Sequence, residues 1–348
     1  MTIHELLKAA VDSKASDLHL VATKSPLLRI DGQLQETQFP VLNDKIIAEL
    51  IFSMLSPQQK EKFEQERELD FSYTLNDVSR FRVNLHWAHN TPGLVARVIP
   101  SVIPSMEEIQ MPQAAFHMLE MKQGLIILTG PTGCGKSTSL ATMINYLNEN
   151  HALNIVTLED PVEFSFENKK SIIKQREVGS DTKNFPDALR RILRQDPNVV
   201  MVGEMRDLET IAATITIAET GHLVLSSLHT INAAQTVERI IDVFPPHQQT
   251  EIRYQLANTL NGVISQRLLP KVGGGRVAAR EIMINTSATA NLIRENKVAQ
   301  IKSVIQTSRD VGMFTMEQGL EELVAKNLIT QETADAYINA STVATMIS

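Results

Sequence analysis

Leu125-Ile-Ile-Leu-Thr129-Gly130-Pro131-Thr132-Gly133-Cys134-Gly135-Lys136-Ser137-Thr138 is the stretch from which the rest of the chain can be read. Its apolar opening has the pattern of a fully buried strand, and a helix is expected after Gly135. Between them, Gly130–Ser137 fits G-x-x-x-x-G-K-[ST]. Glycines let backbone N–H groups curl round phosphates with no Cβ in the way. Lys136 brings positive charge to the β- and γ-phosphates, and the Ser137 hydroxyl suits magnesium. The helix that begins here points its positive end at the same anion. Strand, loop and helix in this order make phosphate binding by residues 130–138 the expected function of the segment. Cys134 inside the loop has two readings. It is a small filler, or a reactive thiol whose pKa is lowered by the helix N-terminus and Lys136.

Beyond this loop the pattern alternates. Ile155–Leu158, Val199–Val202 and Leu223–Leu228 read as further apolar strands; Asp187–Arg194, Leu208–Ala218 and Ala233–Asp242 read as helices. Such alternation predicts an α/β domain with a mainly parallel sheet covered by helices. In a parallel sheet the C-terminal strand ends share one edge, where ligands bind. Two strands run into carboxylates there: Glu159, Asp160 and Glu163 after one, Glu204 after the other. A phosphoryl-transfer site needs a group that orients the attacking water and carboxylates that support magnesium, so these four are candidates. His222 and His229 flank Leu223–Leu228. Their spacing on an extended chain points them to opposite faces, so a shared metal ion is not expected. Each reads either as a satisfied polar residue or, for His229 at the C-terminal end, as a sensor of a γ-phosphate.

Residues 1–99 read differently. Ile3–Val11, Ile46–Leu55 and Pro57–Arg67 have helical spacing. Asp17–Val21, Leu27–Ile30, Leu69–Tyr73, Arg80–Leu85 and Leu94–Ile99 are strand-like. Together they predict a small α+β domain. Pro100, Pro104 and Pro112 punctuate a linker over 100–112. Residues 113–348 form the expected second domain, helical from 287 on: Ala288–Glu295, Val298–Thr307, Thr315–Lys326 and Gln331–Asn339. The 348 residues are 43% hydrophobic and 21% charged, as in ordinary globular domains. A net charge of −7 argues against a nucleic-acid-binding surface as the main purpose. The single cysteine excludes an internal disulfide and a four-cysteine zinc module, and fits a reducing compartment. Met1–Lys14 lacks a long apolar core and a cleavage site, so no signal peptide is expected. The longest apolar runs fall far short of a membrane span. A cytoplasmic location, with peripheral membrane association only, is the expectation.

The combination resembles the secretion-type ATPases of the RecA-like superfamily, and within them the pilus retraction (twitching motility) motors, over nearly the full length. Thr157-Leu-Glu-Asp-Pro-Val-Glu163 is similar to that family's Asp box. Val202-Gly-Glu-Met-Arg-Asp-Leu-Glu-Thr210 resembles its Walker B segment, with Glu204 in place of the more usual Asp. Gly221-His-Leu-Val-Leu-Ser-Ser-Leu-His229 resembles its His box. Ala15-Ser-Asp-Leu-His-Leu20 and Arg80-Phe-Arg-Val-Asn84 resemble its PAS-like N-terminal domain. The resemblance implies a homohexamer that hydrolyses ATP with Mg2+, the metal held by Ser137 and, partly through water, Glu204. It implies Glu163 as general base, Arg82 and Arg97 as arginine fingers, His229 near the phosphates and His222 organising the site. It implies an inner-membrane platform protein as partner, at the inner face of the cytoplasmic membrane, and an accessory retraction ATPase as a further one. The missing zinc cysteines favour retraction motors over extension and type II secretion ATPases. The alternatives are the accessory retraction ATPase itself, another secretion-type ATPase, and, further off, a RecA-like nucleic-acid translocase. One departure lies in the C-terminal retraction motif. Thr289 and Ala290 stand where the family has isoleucine and arginine, which is expected to bear on partner contacts.

Overall fold

Thr2 and Ser56 each cap a helix by accepting from the backbone three residues on, while the side chain at that position returns the bond. These caps open α1 (Ile3–Asp12) and, after α2 (Asp44–Phe52), α3 (Pro57–Glu66). The computed structural model describes residues 1–30, 32–76, 78–99 and 102–338. Pro100 of the expected linker and everything from Asn339 on lie outside the described residues. The chain divides into two units: Met1–Val102 with Pro161–Ser165, and Ile103–Asp160 with Phe166 onward.

In the first unit, β1 (Asp17–Leu20), β2 (Leu27–Ile30), β3 (Gln33–Glu36), β4 (Glu68–Leu75), β5 (Ser79–Ala88) and β6 (Thr91–Ile99) form one antiparallel sheet. Its order is β3-β2-β1-β6-β5-β4. The period of two is plain in β5, where Phe81, Val83 and Leu85 are buried and Arg82 is exposed. The buried face meets α1 and α2 through Leu6, Leu7, Ile47 and Ile51. Each such side chain contributes about 1.5–3 kcal/mol by leaving water. Phe63 of α3 joins this core and stacks on Trp87 at 5.8 Å between ring centres.

The second unit is built on β7 (Gly124–Thr129), β8 (Asn154–Glu159), β9 (Ile172–Glu177), β10 (Val199–Val202), β11 (Leu223–Leu228), β12 (Leu260–Pro270) and β13 (Arg276–Ile284). Their order is β13-β12-β7-β11-β10-β8-β9. All neighbours are parallel except the β12–β13 pair. Two hydrophobic cores, one on each face, bury the central strands completely. The helices are α4 (Gln113–Leu119), α5 (Lys136–Asn150), α6 (Phe185–Ile192), α7 (Leu208–Glu219), α8 (Ala233–Asp242), α9 (Pro246–Thr259), α10 (Ser287–Arg294), α11 (Ile301–Thr307) and α12 (Met316–Ala325). A further helix covers 331–338. Within the stretch read as a linker, Met106 and Met111 are buried in this unit's core. The sequence pattern does not announce β3, α4, α9, β9, β12 or β13. β12 starts at the residue that caps α9, with no turn residues to mark the change. β9 is a polar edge strand. Among the described residues, no helix is long and apolar enough to cross a membrane.

Candidate nucleotide site

The loop 130–135 leaves β7 and closes on α5, and its glycines have backbone angles that other residues avoid. Gly130 has φ +147° and Gly135 has φ +87°. A Cβ on Gly130 would lie 2.4 Å from the Gln266 carbonyl oxygen and 2.6 Å from Cys134 Sγ, so bare backbone is required there. Gln266 of β12 clamps the loop from beneath. Its Nε2 donates to the Cys134 carbonyl at 2.8 Å and its Oε1 accepts from Ser139 Oγ at 2.9 Å. Lys136 is buried, and its Nζ donates to the carbonyls of Gly130 (2.8 Å) and Pro131 (3.2 Å). Burial holds the Lys136 ammonium below its ordinary pKa. Ser137 is exposed in the first turn of α5.

The strand ends beside the loop bring the carboxylates in. At the end of β10, Gly203 N donates to Leu158 O at 2.8 Å, and Ser227 Oγ donates to Gly203 O at 2.6 Å. Glu204 is thereby held between the exits of β8 and β11. Its Oε2 is 2.9 Å from Arg206 Nη2 and its Oε1 is 3.0 Å from His229 Nε2. Burial raises the Glu204 pKa, but Arg206 and His229 outweigh it and hold the carboxyl below the usual range. Glu204 is thus ionised at neutral pH, and its charge is felt at Lys136. Glu159 is buried, accepting from Thr157 Oγ1 at 2.6 Å and Gln175 Nε2 at 3.1 Å, while Asp160 is exposed. Thr129 Oγ1 bonds Thr230 at 2.6 Å, tying the exit of β7 to that of β11.

Glu163, Arg82 and Arg97 fall in the first unit. Glu163 is exposed on the loop that leaves β8. Arg82 and Arg97 are exposed and sit directly opposite each other on β5 and β6. Arg97 Nε donates to Asp17 Oδ1 at 2.9 Å.

The sequence profile of the family described as "Type II/IV secretion system protein" matches residues 1–342. The chain belongs to the type II/IV secretion system protein family. A Pseudomonas aeruginosa member, "Type IV pilus retractation ATPase PilT", is 48% identical over 96% of this chain and 97% of its own length. The same organism's "Type IV pilus ATPase PilU" is 36% identical over 98% of this chain and 90% of its own. A crystal structure of the "Pilus Retraction Motor PilT and Bound ADP" superposes with a TM-score of 0.90. It is 45% identical and covers 96% of each chain.

Two expectations change on this family fold, and one pair of readings is decided. His222 does not join the site. It precedes β11, whose first residue pairs with the first of β7, so it lies at the sheet edge opposite the phosphate loop, roughly 20 Å away along the strand. Its Nδ1 sits 3.2 Å from Thr220 Oγ1 and Ile217 O, at the end of α7. Cys134 is the filler, not the reactive thiol. Burial raises its pKa, and Lys136 and Arg267 only partly oppose that. Thr289 and Ala290 are buried on the inner face of α10, so their exchange alters packing beneath the motif. Thr289 Oγ1 donates to Thr286 O at 2.9 Å. Residues 287, 288, 291 and 295 are exposed.

Two further arginines stand beside the site. Arg206 follows Glu204 by two residues, a spacing that signals the pair once Glu204 is chosen. Arg267 is next to Gln266, with Nη1 3.1 Å from where a Gly130 Cβ would be. No sequence signal marks it, because its strand was not recognised.

Proposed function

We propose that this chain is an ATP-hydrolysing motor subunit that assembles as a homohexamer and drives retraction of a type IV pilus. The observation that carries the reading is the meeting, on one sheet edge, of the Lys136 loop and the ionised Glu204. It is supported by 48% identity along almost the whole length to a retraction ATPase. The lower identity to the accessory protein PilU favours the main motor.

In this reading residues 130–138 cradle the ATP phosphates, and Lys136 exchanges its bonds to Gly130 and Pro131 for phosphate oxygens. The residues fit a magnesium ion. Ser137 offers an exposed hydroxyl at the start of α5, and Glu204 supplies an ionised carboxylate close by. A bound Mg2+ would neutralise charge on the phosphate oxygens. Glu163 takes the proton of the attacking water, and His229 contacts the phosphate region. Arg82 and Arg97, from a neighbour's or the same subunit's N-terminal unit, stabilise charge on the transferred phosphoryl group. Tying hydrolysis to those arginines makes chemistry report closure. ATP binding closes the site, and hydrolysis and release reopen it. The motion passes to an inner-membrane platform protein from the cytoplasmic face, in concert with an accessory retraction ATPase.

The test is complementation of a twitching bacterium that lacks its own retraction motor, with ATP turnover and assembly size measured on the purified protein. Restored retraction and turnover by a hexamer are expected. Turnover by the purified protein without restored retraction would move the chain to another secretion-type ATPase.

A further inference from the structure

We propose that Asp17 is the positioning residue of Arg97, setting its guanidinium before any phosphate arrives. The inference rests on the reading of Arg97 as a phosphate-contacting arginine.

The strand register places one row of side chains across the first unit's sheet. Arg29 pairs with Asp17, Asp17 with Arg97, and Arg97 with Arg82. Within the row Asp17 is buried, Arg29 half-buried, and Arg97 and Arg82 exposed. The Asp17 side chain is 6% exposed and that of Arg97 63%. Asp17 is fixed from three sides. Ser16 Oγ donates to its Oδ2 at 2.8 Å, Arg29 Nε lies 3.7 Å from the same oxygen, and Arg97 Nε donates to Oδ1 at 2.9 Å.

The atom used is informative. An Arg97–Asp17 bond through Nε grips the stem side of the guanidinium and leaves both terminal nitrogens free to donate elsewhere. Among the described residues those nitrogens have no hydrogen-bond partner, and Arg82 has neither an ion pair nor a side-chain hydrogen bond. Like charges directly opposite on neighbouring strands disfavour folding. Arg82 faces Arg97 with no carboxylate between them, and Asp17, on the far side of Arg97, is shared with Arg29, so the two facing arginines serve a further anion better than they serve the sheet. Arginine is a long side chain with many rotamers. Fixing it beforehand spares that ordering when the site closes.

The test is steady-state ATP turnover by the purified assembly, with nucleotide affinity, oligomer size and melting recorded on the same samples. Asp17→Asn keeps the shape and removes the charge. It is expected to stay assembled, to lower kcat about 10- to 100-fold, and to leave KM and nucleotide affinity within about twofold. Asp17→Asn in an Arg97→Ala background is expected to cost nothing more, whereas its effect multiplies with Arg82→Ala. Arg97→Lys, which has no Nε to grip in that way, should likewise make Asp17→Asn silent. If Arg97→Ala is impaired and Asp17→Asn is not, the positioning claim fails and the arginine reading stands. A loss on Asp17→Asn that multiplies fully with Arg97→Ala also overturns it, as does a loss matched by lost assembly. Should Arg97→Ala itself turn over normally, the underlying reading fails and takes the inference with it.

Discussion

Lys136 and Arg97 are both cations assigned to phosphate, yet the two units hold them in opposite ways. Lys136 is buried in the second unit, bonded to carbonyls of its own loop, and its ammonium is held below its ordinary pKa by desolvation. Arg97 stands largely in solvent on a sheet face of the first unit, gripped at its base by a buried aspartate. One cation belongs to a pocket made by backbone; the other is presented outward to something that arrives. On the proposed roles, binding and turnover are served by separate devices, a resident cradle and a delivered charge.

The largest effects should separate those devices. Lys136→Ala is expected to abolish measurable nucleotide binding and to lower turnover by about a thousandfold or more. Arg97→Ala should lower turnover by at least about a hundredfold while titration calorimetry finds nucleotide affinity nearly unchanged. Equal losses of affinity in both variants would break the contrast.

A second pair sharpens what the cradle requires. Gly130→Ala forces a Cβ to 2.4 Å from the Gln266 carbonyl at φ +147°, so about 3 kcal/mol or more of stability should be lost in urea unfolding. Gly133→Ala meets open space at φ +76°, leaving only backbone strain of about 1 kcal/mol.

Two buried carboxylates repeat the comparison in their response to pH. For Asp17, burial raises the pKa, but Ser16 and Arg97 outweigh it, so the folded value lies below the unfolded one. Its contribution to stability is present above the unfolded pKa, about 4, and is lost as pH falls through the lower folded value. For Glu281, burial dominates and the folded pKa is raised, against the bond from Ala233 N. That contribution is present below the unfolded pKa and is lost as pH rises through the folded value. At pH 7, Asp17→Asn should therefore lower the melting temperature and Glu281→Gln should raise it, each by about 2–4 °C. Calorimetric scans at several pH values check both signs. Least affected is Cys134→Ser, which should keep turnover within about twofold. Alkylation of Cys134 by iodoacetamide should be slow at neutral pH, because its thiol is buried and its pKa raised.

What could be read without the structure follows the same division. Gly130–Ser137, Val199–Val202 and Leu223–Leu228 are local signals, since loop chemistry and buried strands are written in consecutive residues. The fold class followed from them. Gln266, Arg267 and the Asp17–Arg97 grip depend on which strands become neighbours, and no local pattern encodes that. β12 was hidden because helix passes into strand without a turn. His222 was misplaced for a related reason. It and His229 share a motif in sequence, but a six-residue strand carries them to opposite edges of the sheet. Thr289 and Ala290 looked like surface changes until the helix phase turned them inward.

The most direct test of the motor reading is ATP turnover by Glu163→Gln beside the wild-type protein, with nucleotide binding and assembly size measured on the same samples. The expected result is wild-type turnover by an assembled ring, and a variant that binds ATP as tightly but hydrolyses it about 10²- to 10⁴-fold more slowly. Near-normal turnover by the variant would remove Glu163 as the base, and an assembled wild type that binds ATP without consuming it would contradict the motor itself.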